Sequence, residues 1–285
     1  MARERLERFR QWLFTLAEKP ISISTIILFA LLILVVSLSL PTVLRNPLEF
    51  YGQILVEAYG MLFDLAIIGI LIFWLNKKGE ERLRIRTYKD EIDDFRLWES
   101  EEAAFRTVGN IKRLNRHNIA EINLVNCYLS KANLNYIDLN KSNLNSANLS
   151  HSSLLEANLD HTRMNQTDFS NSNLNQATFR NAYASGAIFD NCYLIKTNFE
   201  NAFLIKTDFS NALLMDANFG GSYLTGASFE NASLYKADFR GAKGLSLDQL
   251  AKAKTLYRAK FDQFLYDQIV INLPELIGDE ILKEV

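Results

Sequence analysis

The chain has 285 residues, a formal net charge of −2, three histidines and two cysteines. That length suits one or two domains, and so small a charge announces neither a nucleic-acid binder nor a polyacidic surface. Two cysteines do not make a disulfide framework, and no Gly-rich phosphate loop, Cys/His cluster or nucleophile–base pattern occurs, so neither an enzyme nor a metal or cofactor protein is expected.

Residues 1–19 are basic, with Arg3, Arg5, Arg8, Arg10 and Lys19. Leu6, Phe9, Trp12, Leu13 and Leu16 predict an amphipathic helix lying among lipid headgroups. Residues 20–76 read as a transmembrane helical hairpin. Its first span, about 21–40, holds no charge between Pro20 and Pro41, and about 20 apolar residues is what one crossing needs. A signal peptide is the rival reading, but the run is long for one and no small-x-small cleavage site follows it. The second span, about 56–75, carries Tyr59 and Trp74 near its ends, as interfacial aromatics do, and closes on Asn76-Lys77-Lys78.

Basic residues flank the hairpin on both outer sides, while the connector between the spans holds only Arg45. The positive-inside rule then places both termini in the cytoplasm of a multi-pass protein of a bacterial inner (cytoplasmic) membrane. Within the second span Asp64 costs roughly 2.5–3.5 kcal/mol on insertion scales. Gln53, Glu57, Gly60 and Asp64 step by four, three and four, one polar stripe on a helix. The first span is apolar at matching depth and offers Asp64 no partner. Asp64 is neutral and bonded to a backbone carbonyl, or the helix sits shallower and Asp64 faces water, or copies of the chain assemble and bring Asp64, Glu57 and Gly60 around an ion path.

Residues 77–116 predict a charged cytoplasmic helix whose apolar stripe is Ile85, Tyr88, Ile92, Phe95, then Trp98, Phe105, Val108, Ile111 and Leu114. The first four keep heptad spacing, but the phase slips at Trp98, short of a coiled coil. Its second half is expected to lie over the open end of the next domain as an N-terminal cap, with self-association through the helix as the alternative.

From Ile119 to Phe239 an apolar residue returns at every fifth position, 25 times, including Leu124, Leu144, Phe169, Phe179 and Phe189. Two residues before most of them stands something small, such as Ala147, Ala157, Thr167 or Ala177. Neither a helix nor a flat strand keeps such a period on one face, whereas a coil that turns a corner every five residues does. The units Ala-Asn-Leu-Asn-Tyr, Ala-Asn-Leu-Ser-His, Thr-Asp-Phe-Ser-Asn and Ala-Asp-Phe-Arg-Gly resemble the pentapeptide-repeat family, whose pattern is A-[D/N]-L-x-x. The resemblance implies a right-handed quadrilateral β-helix over residues 117–244, with the central and small residues inside. About six coils, at roughly 4.8 Å each, make a rod of about 30 Å. Ala184 departs at a central position, and Arg163, Ile188 and Phe203 stand where Asn or Asp is usual.

Beyond Phe169, Phe takes every tenth position. One column (Phe169, Phe189, Phe209, Phe229) therefore faces another (Phe179, Phe199, Phe219, Phe239) across an interior with little room for water or ligand. Asn171, Asn191, Asn211 and Asn231 fall at corners, where Asn suits tight turns. Cys127 and Cys192 fall on the small inward position thirteen units apart, on different faces, so they read as reduced core filler. His151 and His161 project from opposite faces and cannot share a metal. Residues 245–285 predict a C-terminal cap: a short helix N-capped by Ser246, one last repeat-like turn over 253–262, and an amphipathic tail through Leu265, Ile269, Ile271, Leu273, Leu276 and Ile281.

The expected function is a membrane-anchored, non-enzymatic scaffold that contacts membrane lipid and an unidentified cytoplasmic protein, with a homo-oligomer as a further prospect. The first alternative is an oligomeric membrane effector whose hairpin is a pore and whose solenoid is the sensor or assembly platform. Some soluble relatives imitate duplex DNA and shield type II topoisomerases. Here residues 117–243 carry eleven acids against nine bases, too little charge for a duplex with one charge per about 1.7 Å, so no nucleic-acid role follows.

Overall fold

The computed structural model describes residues 47–278, together with residues 33, 36 and 37. The basic segment 1–19, nearly all of the first predicted span and Ile281 lie outside the described residues. The chain divides into two units, Met1–Lys78 and Gly79–Val285.

Helix α1 (Pro47–Asp94) starts in the first unit, well before the predicted span, and ends in the second. The predicted connector is therefore helical from Pro47, because Pro at the first turn gives up no hydrogen bond and nothing up to Lys78 breaks the run. Among the described residues this is the one helix long and apolar enough to cross a membrane, by length and composition. Phe63, Ile67, Phe73 and Trp74 on it are exposed.

In the second unit, the single helix predicted over 77–116 is two. The end of α1 is followed by a break in which Leu97 takes a left-handed φ of 69°, and α2 (Glu101–Arg116) begins anew. The slip at Trp98 was this break. Ser100 caps α2 by accepting from the Ala103 N–H at 3.1 Å, with Glu101 and Glu102 at the positive end of the helix dipole. Both pieces cap the solenoid. Ile92, Val108, Ile111 and Leu114 are buried in one cluster with Leu124 and Leu129, and Ile85 and Tyr88 pack against it.

The solenoid is built on parallel bridges between residues twenty apart, from Asn123↔Asn143 to Tyr223↔Lys243. They are isolated bridges rather than strands, because a chain that turns every fifth residue keeps too few extended residues for a ladder. From Asn126 to Gly241 every fifth residue lies at positive φ, so four five-residue sides close one coil. Gly186, Gly221, Gly226 and Gly241 meet this demand freely, while Lys131, Tyr136 and Glu156 adopt it at a cost of roughly 1–2 kcal/mol each.

Backbone hydrogen bonding shows why the unit reads as it does. The central residue donates up to the next coil (Leu144 to the Arg163 carbonyl, 2.6 Å), and the residue before it donates down (Asn143 to Ile122, 3.0 Å). The corner residue donates up (Ser146 to Asn165, 2.9 Å), and the small residue closes the turn (Ala147 to Leu144, 2.9 Å). The N–H just after the centre is left over. Asn or Asp before the centre takes it, as Asn143 Oδ1 does from Asn145 (3.2 Å) and Asp208 from Ser210 (2.9 Å). At several places where that residue is missing, an Asn one coil earlier substitutes. With Arg163 before the centre, Asn165 N–H turns to Asn145 Oδ1 (2.8 Å), and with Tyr183 there, Ser185 N–H turns to Asn165 Oδ1 (3.0 Å). The Arg163 departure is therefore a change of partner, not a break in the coil.

At the far end α3 (Leu247–Leu250) has the predicted Ser246 cap, reinforced by Gln249 in a capping box. The last repeat-like turn then pairs with the solenoid through Ser233↔Thr255 and Asp238↔Lys260. α4 (Gln263–Asn272) and α5 (Pro274–Ile277) close the stack through buried Ile269 and Ile277, while Ile271 of the predicted tail is exposed.

Candidate interaction surfaces

The predicted core residues occupy one continuous interior. Leu124, Leu144 and Phe169 through Phe239 are buried, and Ala184 takes its central place among them. Rings in each column stack, with Phe169 and Phe189 4.9 Å apart at 2°, and meet the other column edge-on, with Phe169 and Phe179 at 6.1 Å and 87°. Both are favoured arrangements of ring quadrupoles. Hydroxyls at the small position bond to carbonyls of the preceding coil, as Thr197 does to Leu174 (3.0 Å) and Thr207 to Ala184 (2.9 Å). Cys192 donates to the Phe169 carbonyl at 2.8 Å. Burial pushes the Cys127 thiol up to about 11 and Cys192 to about 12, so both stay protonated and unreactive. The surface that can meet another molecule is therefore the outside.

Four faces make that outside, and they differ. The first is centred on Leu124, Leu144, Met164, Ala184, Leu204 and Leu224. It carries an outward column Arg163–Tyr183–Phe203–Tyr223–Lys243. Tyr183, Phe203 and Tyr223 stack at 4.8 and 4.7 Å, both at 2°. Lys243 ends the column with Nζ 4.7 Å above the Tyr223 ring and 3.1 Å from its hydroxyl. No Asp or Glu stands at any outward position of this face from Asn143 on.

The second face, centred on Leu129, Leu149, Phe169, Phe189, Phe209 and Phe229, carries Asp168, Asp190, Asp208 and Glu230. Its one cation, Lys131 on the first coil, is engaged by Glu101 at 3.0 Å. Of the corner asparagines, Asn191 and Asn211 both donate to Asp190, at 2.6 and 2.8 Å, and form a clasp around one carboxylate. The third face is the more apolar, with Tyr193 and Leu213 exposed. On the fourth, buried Asp160 holds the Arg180 guanidinium of the next coil at 2.6 Å. Counting charges over the whole solenoid hides this segregation. Reading every twentieth outward residue would have found it.

Of the predicted oligomer or ion-path residues, Glu57, Gly60 and Asp64 all lie on α1, exposed and spaced as one face of a helix. The Gln53 side chain lies outside the described residues. Among the described residues no group of three or more His, Cys, Asp or Glu could hold a metal. His117 sits 3.4 Å from Glu81, and His151 and His161 stand on separate corners. Two clefts lie at the first-coil end of the solenoid, one between the end of α1 and the first coils (Ile92, Asp93, Asn123, Arg163), one along α2 (Phe105, Arg106, Lys131).

A filled interior, corners at every fifth residue and bridges at every twentieth define a four-sided repeat solenoid, a class whose exposed faces are its functional part. The chain belongs to the pentapeptide-repeat family, whose members are often non-enzymatic interaction modules. The family model, described as pentapeptide repeats, matches residues 122–154, 152–191, 172–211 and 212–243.

Among solved structures the chain is similar to HetL, a pentapeptide repeat protein involved in heterocyst differentiation regulation from the cyanobacterium Nostoc sp. strain PCC 7120. The two are 30% identical over 47% of this chain and 68% of that one, with a TM-score of 0.26. It is similar also to a pentapeptide repeat protein of the Arabidopsis thaliana thylakoid lumen, at 27% identity over 41% and 86%, TM-score 0.32. A third is the plasmid-mediated fluoroquinolone resistance protein QnrB1, at 19% over 54% and 88%, TM-score 0.26. A comparison with curated proteins returned no match.

Proposed function

We propose that this protein is a membrane-anchored, non-enzymatic interaction module whose stiff rod presents flat, chemically distinct faces to a protein partner on the cytoplasmic side. The observation that carries the reading is the contrast between a ring-filled interior, which admits no ligand, and outward columns that keep one chemistry over several coils. Support for the anchor comes from the apolar run of α1, with its exposed Phe63, Phe73 and Trp74, and from the basic residues that follow it. The domain division 1–19, 20–76, 77–116, 117–244 and 245–285 is retained in this reading, with 77–116 as two helices. Extraction of membranes at alkaline pH tests the anchor, since recovery of the chain in the soluble fraction would defeat it.

A second reading is favoured by Glu57 and Asp64 lying seven residues apart on one face of α1. Copies assembled through that face would form an ion path, with the solenoid as the platform. Asp64→Leu separates the two. An interaction module keeps its membrane retention and its co-purifying partner in the variant, whereas a pore loses conductance in a flux assay on reconstituted vesicles. Equal flux in parent and variant removes the pore.

A further inference from the structure

The segregation of the outward columns deepens the interaction-module reading, on which this inference rests, by naming a partner for two of the faces. The first face is cationic and aromatic without an acid, and the second, beyond its first coil, has acids without a Lys or Arg. The two adjoin at one row of corners, a quarter turn apart on a four-sided coil. A copy whose second face lies on the first face of its neighbour is therefore rotated by a quarter turn about the rod axis. Four such contacts close a ring.

A cyclic operation carries no shift along the axis, so residues of the same coil meet. The chain crosses the two apposed faces in opposite directions, so the column before the centres on one meets the column after the centres on the other. That brings Tyr183, Phe203 and Tyr223 level with Asp190, Ser210 and Glu230. The alternation matches coil by coil. A phenol stands opposite each carboxylate, and the ring without a hydroxyl stands opposite the serine. The rings stack on one another, so their electropositive edges and hydroxyls point outward. Tyr223 accepts from Lys243 and keeps its own proton to donate. The least favourable region is the corner row that lines the ring's central axis, where Ile205 meets Asp208 and Lys206 of all four copies converges, each with an Asp208 on the adjoining face to offset it.

We propose that the solenoids associate side by side, the Tyr183–Phe203–Tyr223 face of one copy on the Asp190–Ser210–Glu230 face of the next, closing as a ring of four parallel chains. Such a ring points every chain the same way, as a shared membrane requires.

Full-length chains carrying Phe203→Cys are co-expressed with full-length chains carrying Ser210→Cys and oxidised in native membranes. The native thiols are 2% and 1% exposed and add no background. A disulfide-joined pair from the mixture, with neither chain joining itself, is the expected result. A chain with both substitutions should give a ladder ending at four subunits, reduced severalfold when Tyr183→Phe and Tyr223→Phe are added. Phe203→Cys chains joining one another, a ladder running past four, or no joined species would each overturn the proposal. Absence of joined species while the chain stays in the membrane and retains a co-purifying protein overturns this inference alone. A ladder of four from chains recovered in the soluble fraction supports it and defeats the anchor instead.

Discussion

The two halves of the solenoid meet the same demand with different side chains. In the early coils the facing columns are Leu129, Leu149, Leu139 and Leu159, and Ile122 and Ile137 take two of the small positions. In the later coils the columns are Phe, and the small positions hold Ala, Ser, Thr or Cys. At Ile122 and Ile137 a larger neighbour fills part of the space that a Phe centre takes in the later coils, as close packing demands. The ends differ in the same spirit. The first coil is sealed by helices alone, the last by one more turn of its own kind with two short helices laid over it. Stability in such an array depends on neighbouring coils, so damage in one half should stay there.

The largest effect is expected at Phe199, which touches Phe179, Phe189, Phe209 and Phe219 at ring distances of 4.9, 5.7, 5.5 and 5.1 Å. Phe199→Ala should cost about 3–5 kcal/mol, toward the upper end because four ring contacts go with the side chain. Leu149→Ala, in the half without rings, should cost about 2–5 kcal/mol and less than Phe199→Ala. Urea unfolding of the detergent-solubilised protein, followed by circular dichroism, compares the two. Equal losses would mean that the stacked rings contribute only their area.

A smaller effect is expected at the sealed first coil. Asn115 stands in for a strand that is not there. Its amide donates to the Ile119 and Asp138 carbonyls at 3.0 and 2.8 Å, and its carbonyl accepts from the Asp138 N–H at 2.9 Å. At the other end the Asp262 carboxylate does the same for the Gly241 N–H, at 3.1 and 3.0 Å. Asn115→Leu should cost about 1–2 kcal/mol, since water reaches the groups it leaves. Hydrogen exchange should quicken at the first coil and stay unchanged at the last. Quickening along the whole rod would show that the halves are not independent.

How far the sequence foretold this structure depends on which residues carried a periodic signal. The five-residue period marked the interior from Leu124 to Phe239 and the two Phe columns, because each inward position is under the same steric demand. The break at Leu97 left only a phase slip, and a left-handed Leu has no composition to betray it. The helical connector escaped notice because Pro47 reads as a stop as readily as a first helical turn. The face chemistry was present at a period of twenty but vanished in a net charge. The clasp of Asn191 and Asn211 on Asp190 depends on which corner approaches which carboxylate, and spacing alone does not say.

The smallest expected effect lies at the Phe-lined end. Asp238 pairs with Arg240 at 2.5 Å and lies 3.9 Å from Lys260 of the last turn. The hydrogen bond from the Arg240 side chain holds its carboxyl below the usual carboxylate range. A lowered folded-state pKa stabilises above the unfolded value of about 3.9 and ceases to do so as pH falls through the folded value. Arg240→Ala should therefore unfold slightly more easily than the parent at pH 6, and the gap should close in strong acid. Because the Arg240 side chain is 62% exposed, molar salt at pH 6 should shrink the same gap. Thermal unfolding at pH 6 and pH 2, with and without salt, reads both effects. A gap that persisted at pH 2 would assign Arg240 a packing role over the last turn rather than an electrostatic one.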